Sequence, residues 1–295
     1  MPQYGLSDYL QLVVSGLSTG SIYVLIALGL ITIYNITGVI NLAQGEFVML
    51  GAMLTIVLVK AGLPLGVAAF IAVLLVMGIG AVIQCSTIHP ARRAPDVALI
   101  IITIGTAIAV RGLALLVWGT ASYALPEFSP GAPLSLWGAV LSRQRIWIMG
   151  AAALVLVLLY LFFEHTLLGK SVRACSINRR AARLAGINVE TISLLAYSMG
   201  AGLSAVAGIV IAPLTLVTYD MGVALGLKGF VVAIMGGLVS APAAVVGGLL
   251  LGLLEAFAAS IFASGIKDAI AYIVLFIVLL VRTIPLADRL RRRRV

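Results

Sequence analysis

Polar side chains interrupt an apolar stretch near the start of this chain, in YNITGVINLAQGEFVMLGA over residues 34–52. The polar residues of interest are Asn41, Gln44 and Glu46. A charge at the centre of a bilayer costs at least ~2.5–3.5 kcal/mol, so Glu46 is expected to face protein or a water-filled cavity. Two interpretations stay open: polar contacts between packed helices, or part of a translocation path or gate in which a broken helix exposes its backbone to these side chains.

Two further charges, Arg111 and Glu255, also lie in apolar sequence. Arg111 follows TIGTAIAV and is expected either to neutralise a carboxylate or to extend toward the membrane surface. Glu255 follows LKGFVVAIMGGLVSAPAAVVGGLLLGLL, in which Gly236, Gly237 and Pro242 interrupt the apolar run. Short segments broken by glycine or proline mark the substrate path in transporters. Arg111, Gly236, Gly237 and Glu255 are therefore further candidates for a path or gate.

A basic segment, GKSVRACSINRRAARLAGIN over residues 169–188, separates two long apolar runs. On a helical wheel its apolar side chains share one side and its arginines lie across from them, which is typical of an amphipathic helix. We predict one short helix over residues 174–187, lying along the cytoplasmic surface. Such a helix either binds lipid headgroups or is presented to a cytoplasmic partner.

The composition indicates that these polar residues lie in helices that cross a membrane. Hydrophobic residues make up 62% of the chain, charged residues 10%, and the mean hydropathy is +1.20; soluble domains carry roughly 25% charged residues. Apolar runs of ~20 residues, long enough to cross a bilayer, recur along the chain. We predict an all-α fold, a polytopic transmembrane helical bundle with about 8–9 spans that include broken or re-entrant helices. The predicted spans are residues 10–33, 45–60, 64–84, 97–118, 146–163, 191–217, 230–238, 245–262 and 269–281.

The net charge of +9 does not indicate nucleic acid as a partner, because the basic residues cluster in short loops and in the C-terminal tail, as on a cytoplasmic surface. Loops 89–96 and 169–188 and the tail are therefore predicted to lie inside. Segments 119–145 and 219–228 are predicted to lie outside, with the N-terminus. Cys85 and Cys175 then fall in or beside cytoplasmic loops, where a disulfide framework or metal cluster is unexpected. No cofactor is expected.

Two short motifs resemble functional sites but lack the surroundings that those sites need. GKS at residues 169–171 resembles the end of a phosphate-binding loop, yet Glu164 stands where that loop requires glycine, and no strand precedes it. GLSTG at residues 16–20 fits the pattern around a nucleophilic serine, but it lies in an apolar helix far from both histidines. The sequence therefore predicts no enzyme activity in this chain.

Over nearly its whole length the sequence resembles the permease subunits of branched-chain amino acid ABC transporters. Four ordered motifs carry the resemblance: residues 16–52, ITIGTAIAVRG at 102–112, the basic segment 169–188, and FVVAIMGGLVSAPAAVVGGLLLGLLEA at 230–256. The resemblance implies one permease domain, residues 1–295, in a bacterial inner membrane. It also implies a second permease subunit, two cytoplasmic ATP-binding subunits and an extracytoplasmic solute-binding protein as partners.

The resemblance gives the basic segment a role. Permeases of ABC importers dock on their ATPases through a coupling loop with the pattern E-A-A-x3-G. Ala181, Ala182 and Gly186 match this pattern, and Arg180 replaces its glutamate. Residues 169–188 are thus the expected coupling loop. Its candidate contacts are Arg173, Asn178, Arg180, Ala181, Ala182 and Gly186.

The expected activity is import of branched-chain or related amino acids, driven by ATP hydrolysis on the partner subunits. Urea, amides and small aromatic acids are alternative substrates, because the same family of permeases is used for them. A stand-alone secondary transporter is an alternative of another class, in which the three intramembrane charges would relay ions. A membrane enzyme is a third, but no nucleophile–base pair or metal cluster in the sequence favours it.

Overall fold

A computed structural model describes residues 5–92, 94–136, 139–261 and 269–280. Within these ranges most of the chain is helical, which confirms the predicted helical bundle. The helices are α1 (Leu6–Thr37), α2 (Gln44–Lys60), α3 (Leu65–Ile83, continued by a π-helical turn at Gln84–Ile88), α4 (Asp96–Trp118), α5 (Arg143–His165), α6 (Leu167–Ile177), α7 (Arg179–Leu184), α8 (Val189–Ile211), α9 (Met221–Met235), α10 (Ala241–Ile261) and α11 (Ala269–Leu280). The arginine tail that is predicted to lie inside, residues 289–294, falls outside the described ranges.

Nine of these helices correspond to the nine predicted spans, but they differ in length. Six of them are long and apolar enough to cross a membrane, namely α1, α3, α4, α5, α8 and α10. Helix α2 has 17 residues and α9 has 15, and α11 is another short apolar helix. The chain is thus a multi-pass membrane protein in which full spans are combined with shorter helices.

Helix α9 shows where the sequence prediction was wrong. It begins at Met221 rather than at Phe230, so the loop predicted over residues 219–228 is mostly helix and Lys228 is buried. Glycine is a poor helix former, yet tertiary packing overrides this preference here. Gly222 and Gly226 let the start of α9 lie directly against Gly45 of α2. The predicted break at Gly236 is confirmed, since α9 ends there before α10 begins.

Small residues allow α1 and α10 to pack closely along their lengths. A Cβ atom on Gly16 would approach the Cα atom of Leu253 to 2.8 Å, and one on Gly20 would approach the Cα atom of Leu249 to 2.9 Å. Gly252 in turn lies against the backbone of Gly16 and Gly20. Pairs of glycines spaced by three residues therefore meet face to face, as small residues do in membrane helix packing.

Helix α8 forms the centre of the bundle with α1, α2 and α3. Gly208 packs on the backbone of Val48, and Gly51 packs on Ala205. The core around it is apolar and includes Phe47, Met53 and Val76. One departure from an all-helical chain is a short antiparallel hairpin of β1 (Leu134–Leu136) and β2 (Ala139–Leu141), inside the segment predicted to lie outside.

The connecting segments gather at two ends of the bundle in the predicted combinations. Loop 89–96 and the basic segment lie at one end, where His89 and Arg92 pair with Glu190. At the other end Tyr123 and Val217 exchange backbone hydrogen bonds of 2.8 and 2.9 Å, which joins segment 119–145, predicted to lie outside, to the connection between α8 and α9. The end of α1 lies near the basic segment, because Gly38 approaches Arg179. The cytoplasmic assignment of that end stays a prediction.

Candidate translocation cavity and coupling segment

The chain unwinds between α1 and α2, over residues 38–43, and side chains satisfy the exposed backbone. The amide N–H of Leu42 donates to Thr103 Oγ1 at 3.3 Å, and that of Ala43 donates to Asn41 Oδ1 at 3.1 Å. Thr103 Oγ1 also lies 3.3 Å from the carbonyl oxygen of Ile40. An unwound segment at membrane depth is tolerated where protein groups replace its lost hydrogen bonds. Asn41 and Thr103 meet that requirement here.

Gln44 fastens the start of α2 to the middle of the bundle. Its Nε2 donates to the carbonyl oxygen of Gly200 at 2.8 Å and to Ser204 Oγ at 2.7 Å. Asn41 Nδ2 donates to Gln44 Oε1 at 3.4 Å. Gly200 is the middle residue of α8, which runs from Val189 to Ile211. Gln44 thus joins α2 to α8 by polar contacts, and Asn41 bonds to the unwound segment and to the start of α2.

Glu46 lies in the first turn of α2 and pairs with Arg111 of α4. Arg111 Nε is 3.3 Å from Glu46 Oε1. The Glu46 side chain is 3% exposed and that of Arg111 is 31% exposed, so Arg111 is partly accessible and Glu46 is buried. Glu46 Oε2 is buried and accepts no hydrogen bond from any residue that the structure describes. The expectation that Glu46 faces the interior is confirmed, and Arg111 neutralises a carboxylate.

A cavity of about 250 Å³ adjoins this ion pair. The helices α1, α2, α4 and α9 and the unwound segment line it, and it is open on the side where Ile104 and Ile108 are exposed. Its polar lining includes Asn41, Gln44, Glu46 and Arg111, and its apolar lining includes Ile104, Ala107, Ile108, Leu227 and Phe230. Four of the candidates for a path or gate therefore meet at one cavity inside the bundle. Gly236, Gly237 and Glu255 do not line it.

The two glycines have a different place. Gly236 ends α9, and Gly237 has a φ of 75°, a left-handed conformation that favours glycine. Leu238, with a φ of 63°, shares that turn. These residues form the sharp connection from α9 to α10 at the end of the bundle near Asn35, whose Nδ2 donates to Val239 O. They shape the turn and do not contact the cavity.

Glu255 belongs to a second buried ion pair, one that sequence reasoning missed. Lys228 Nζ lies 3.0 Å from Glu255 Oε1 and 3.3 Å from Oε2, and the Tyr23 hydroxyl donates to Oε2 at 2.6 Å. The two side chains are 7% and 1% exposed. Lys228 was missed because it was assigned to a loop. Counting the apolar residues before it, from Met221 onward, would have placed it within a helix.

The basic segment forms two helices where one was predicted. Helix α6 ends at Ile177 and α7 begins at Arg179, and Asn178 between them has extended backbone angles. Asn178 Oδ1 accepts hydrogen bonds from the amide groups of Arg180 and Ala181, which makes Asn178 the N-cap of α7. The prediction of one helix over residues 174–187 was wrong, because this capping preference of asparagine outweighed the helical periodicity.

The two helices also rearrange the predicted faces. Ala182 is 4% exposed and packs in a core with Val172 and Ile192, so its side chain is not available to a partner. Ile177 and Leu184, predicted to share the apolar side, are instead 81% and 90% exposed. Arg180, Ala181 and Gly186 are exposed. Arg173 is held by Glu164, with Nη2 at 2.6 Å from Oε2.

A helical bundle of full and partial spans, with a mostly apolar cavity beside a buried ion pair, fits a membrane transport protein. Residues 12–281 match the family model described as the permease component of branched-chain amino acid transport systems. The chain therefore belongs to this family, and the resemblance seen in four motifs is confirmed. It is similar to the high-affinity branched-chain amino acid transport system permease protein BraD of Pseudomonas aeruginosa, with 34% identity over 95% of this chain and 96% of that protein.

Two more comparisons complete the result. The permease protein LivH of the corresponding system in Escherichia coli is 30% identical over 92% of this chain and 93% of that protein. A solved structure, PsaBC from Streptococcus pneumoniae in complex with Fab, aligns with 92% of this chain and 89% of that chain, at 18% identity and a TM-score of 0.43. A similarity at that level adds nothing to the assignment, which rests on the family match.

Proposed function

We propose that this chain is the membrane-spanning subunit of an ABC importer that moves branched-chain amino acids across a bacterial inner membrane. The family match over residues 12–281 carries the proposal, together with relatives of nearly equal length whose names describe that transport. The mostly apolar cavity beside Glu46 and Arg111 supports the proposal, because its size suits a small solute. The chain itself hydrolyses nothing, and ATP hydrolysis on partner subunits drives the conformational cycle.

The coupling segment is proposed to dock on an ATP-binding subunit through α7. Leu184 and Ile177 expose apolar side chains beside Arg180 and Arg183, and an exposed apolar group with a charged rim is typical of a protein contact. Gly186, with a φ of 84°, turns the chain back toward α8 and leaves α7 projecting. We therefore transfer the proposed contact from Ala182 to Leu184, while Arg180, Ala181 and Gly186 remain proposed contacts.

The proposed complex contains a second permease subunit, two ATP-binding subunits and an extracytoplasmic solute-binding protein. The N-terminus is proposed to lie outside and the C-terminus inside. Cys175 is a poor reporter of this orientation, because it is buried and burial raises the pKa of its thiol. A cysteine introduced by Ser176→Cys, at an exposed position outside the proposed contact, should react with an impermeant thiol reagent only after the cells are permeabilised, in a background without Cys85 and Cys175.

One experiment tests the whole proposal. The tagged chain is purified from its native host, its partners are identified, and the complex is reconstituted into vesicles with its solute-binding protein. We expect ATP-binding subunits to copurify. Labelled leucine should accumulate only when ATP is present on the side of the vesicle membrane that carries the ATP-binding subunits. Uptake that follows an ion gradient without ATP would indicate a secondary transporter. Uptake of urea, amides or aromatic acids in place of leucine would keep the architecture and change the substrate.

The docking proposal has its own variant pair. Leu184→Ala should reduce leucine-stimulated ATP hydrolysis while leaving the unfolding temperature of the complex unchanged, because its side chain packs on nothing in this chain that the structure describes. Ala182→Leu should instead lower the unfolding temperature, since extra methylene groups in a packed core cost typically ~1–3 kcal/mol. Full coupling in Leu184→Ala would show that α7 contacts lipid headgroups.

A further inference from the structure

We propose that the Glu46–Arg111 cavity is a binding site for the zwitterionic part of an α-amino acid. In this site the Arg111 guanidinium binds the substrate carboxylate, Glu46 Oε2 binds its ammonium group, and the apolar wall contacts its side chain. The inference rests on the proposed function and adds to it the groups that recognise the substrate within the membrane. It also separates amino acids from the other substrates that the fold could carry.

The first observation is that each member of the ion pair is only half used. Glu46 Oε1 accepts from Arg111 Nε, whereas Glu46 Oε2 is buried and accepts no hydrogen bond within the described chain. A buried acceptor without a partner costs about 1–3 kcal/mol, more when charged, so an isolated buried oxygen of this kind needs an explanation. An ammonium group bound in the cavity would supply the missing donor.

Arg111 offers the complementary group. It contacts Glu46 through Nε, and no hydrogen bond of its two terminal nitrogens is formed with the described residues. Its side chain is 31% exposed and borders the cavity. The guanidinium presents its donors in a planar fork that matches a carboxylate. An α-amino acid carries its carboxylate and its ammonium group on one carbon atom. Arg111 and Glu46 already lie side by side and can bind these two groups together.

The rest of the lining fits an aliphatic side chain. Ile104, Ile108, Leu227 and Phe230 supply hydrophobic surface on the α4 and α9 sides of the cavity. The volume of about 250 Å³ is below the ~300–1,000 Å³ of sites for drug-sized ligands, which suits one amino acid. Apolar walls with a few convergent polar groups are the usual composition of a small-molecule site.

Two helices begin at the edge of the cavity and contribute to the electrostatic potential inside it. Helices α2 and α9 both begin at its edge, and Gly45 of α2 meets Gly222 and Gly226 of α9 in backbone contact. The N-terminus of a helix carries a partial positive charge, and half-helices that begin inside a membrane point that charge at anionic substrate groups. The substrate carboxylate would therefore be stabilised by Arg111 and by these helix ends together.

A purely structural ion pair makes a different prediction. Removing both charges of such a pair leaves stability little changed, because no charge is left alone, and a structural role then leaves transport unchanged as well. We therefore compare Glu46→Gln, Arg111→Gln and the double variant in the purified complete transporter. Arg143→Gln serves as the control, since Arg143 is an exposed arginine outside the cavity whose Nε donates to Ala132 O.

The double variant should unfold within about 2 °C of the wild type, because no isolated charge remains in it. Its leucine transport should fall about tenfold or more, because both groups that recognise the substrate are missing. Arg143→Gln should match the wild type in both measurements. Transport by the double variant at close to the wild-type rate would show that the pair is structural and would overturn the proposal.

Ligand discrimination is measured on the same complex without its solute-binding protein, so that the membrane subunits alone are tested. Leucine at about 20 mM should raise the unfolding temperature by roughly 2–4 °C. 4-Methylpentanoate, which lacks the ammonium group, and 3-methylbutylamine, which lacks the carboxylate, should have little effect. In Glu46→Gln, leucine should lose its advantage over 4-methylpentanoate. Equal stabilisation by all three compounds, or none by leucine, would overturn the proposal.

Failure of the proposed function would look different. In that case the wild-type transporter, supplied with ATP and its solute-binding protein, would move no branched-chain amino acid. If it does move leucine and the double variant does too, the family function stands and only the site assigned here is wrong.

Discussion

Glu46 and Glu255 are both buried acids paired with a base, yet their surroundings differ. Both oxygens of Glu255 lie within 3.3 Å of Lys228 Nζ, and Oε2 also accepts from the Tyr23 hydroxyl, while Oε1 makes an ionic contact without a hydrogen bond in the described chain. Glu46 meets Arg111 through one oxygen only. Lys228 is 7% exposed and Arg111 is 31% exposed. Both carboxylates border a cavity, of about 240 Å³ beside Glu255 and about 250 Å³ beside Glu46, so the two pairs differ in the exposure of the base and in the number of donors around the acid.

The difference separates a structural role from a functional one for the same chemical pair. A buried charge whose base is also buried holds helices in one arrangement, and its desolvation is compensated within the protein. A charge left partly unsatisfied beside a cavity has interaction capacity for something that enters. We therefore expect the Lys228–Glu255 pair to determine stability and the Glu46–Arg111 pair to determine transport.

The largest effect is expected from Lys228→Met. It leaves Glu255, whose side chain is 1% exposed, charged and without its base, and breaking a buried pair in this way costs ~3–5 kcal/mol. The purified complex should show a much lower unfolding temperature and a reduced yield of folded permease. Both quantities can be measured in detergent by fluorescence-detected unfolding and size-exclusion chromatography.

The matched control is Lys228→Met combined with Glu255→Gln. Removing the second charge should restore most of the lost stability, because no isolated charge remains. A double variant that is no more stable than Lys228→Met alone would mean that the charge pairing is not what makes Lys228 important.

A smaller effect is expected from Tyr23→Phe, which removes the hydroxyl that donates to Glu255 Oε2 at 2.6 Å. Hydrogen bonds to charged groups contribute ~1.5–3 kcal/mol. Tyr197→Phe is the control, because Tyr197 is fully buried and its hydroxyl has no hydrogen-bond partner among the residues described. We expect Tyr23→Phe to lower the unfolding temperature and Tyr197→Phe to leave it unchanged. Equal losses would assign the effect to packing rather than to the hydrogen bond.

Arg111→Met makes the comparison between the two pairs direct. Like Lys228→Met, it leaves a carboxylate without its base, but water that enters the cavity can solvate Glu46. The loss in unfolding temperature should be less than half of that in Lys228→Met. Leucine transport should nevertheless fall strongly, measured at equal amounts of reconstituted protein. Equal destabilisation by the two substitutions would contradict the distinction drawn here.

The sequence predicted Glu46 as an interior charge, because a charge within a long apolar run is costly in lipid, and for Arg111 it left open whether the side chain neutralises a carboxylate or extends to the membrane surface. It did not predict that they form a pair, since residues 46 and 111 come from helices whose packing depends on contacts remote in sequence. Lys228 was missed for a related reason. Its glycine-rich surroundings read as a loop by local preference, and only the contact of Gly222 and Gly226 with Gly45 makes them a helix.

The basic segment shows a second limit of prediction from periodicity. Residues 174–187 follow a helical pattern, but Ile177 and Leu184, which the helical wheel placed on the apolar side, are exposed. The break at Asn178 changes the direction of α7 relative to α6, so a single wheel cannot describe both. The sequence did carry a signal for this break. Asparagine is a preferred N-cap, so a new helix can begin directly after Asn178.

The smallest effect is expected from Ser204→Ala, which probes the anchor of α2 beside the cavity. Gln44 Nε2 donates to Ser204 Oγ at 2.7 Å and to the carbonyl oxygen of Gly200 at 2.8 Å, so it keeps one partner when the serine hydroxyl is removed. A neutral hydrogen bond contributes about 0.5–1.5 kcal/mol, and the loss should lie at the lower end of that range. Gln44→Leu, which removes both bonds and leaves the Gly200 carbonyl without this donor, is the comparison and should cost more. Unfolding temperatures and leucine transport are measured for both variants. If Ser204→Ala lowers transport as much as Arg111→Met does while leaving stability intact, Ser204 itself belongs to the binding site, and the boundary between anchor and site must be redrawn.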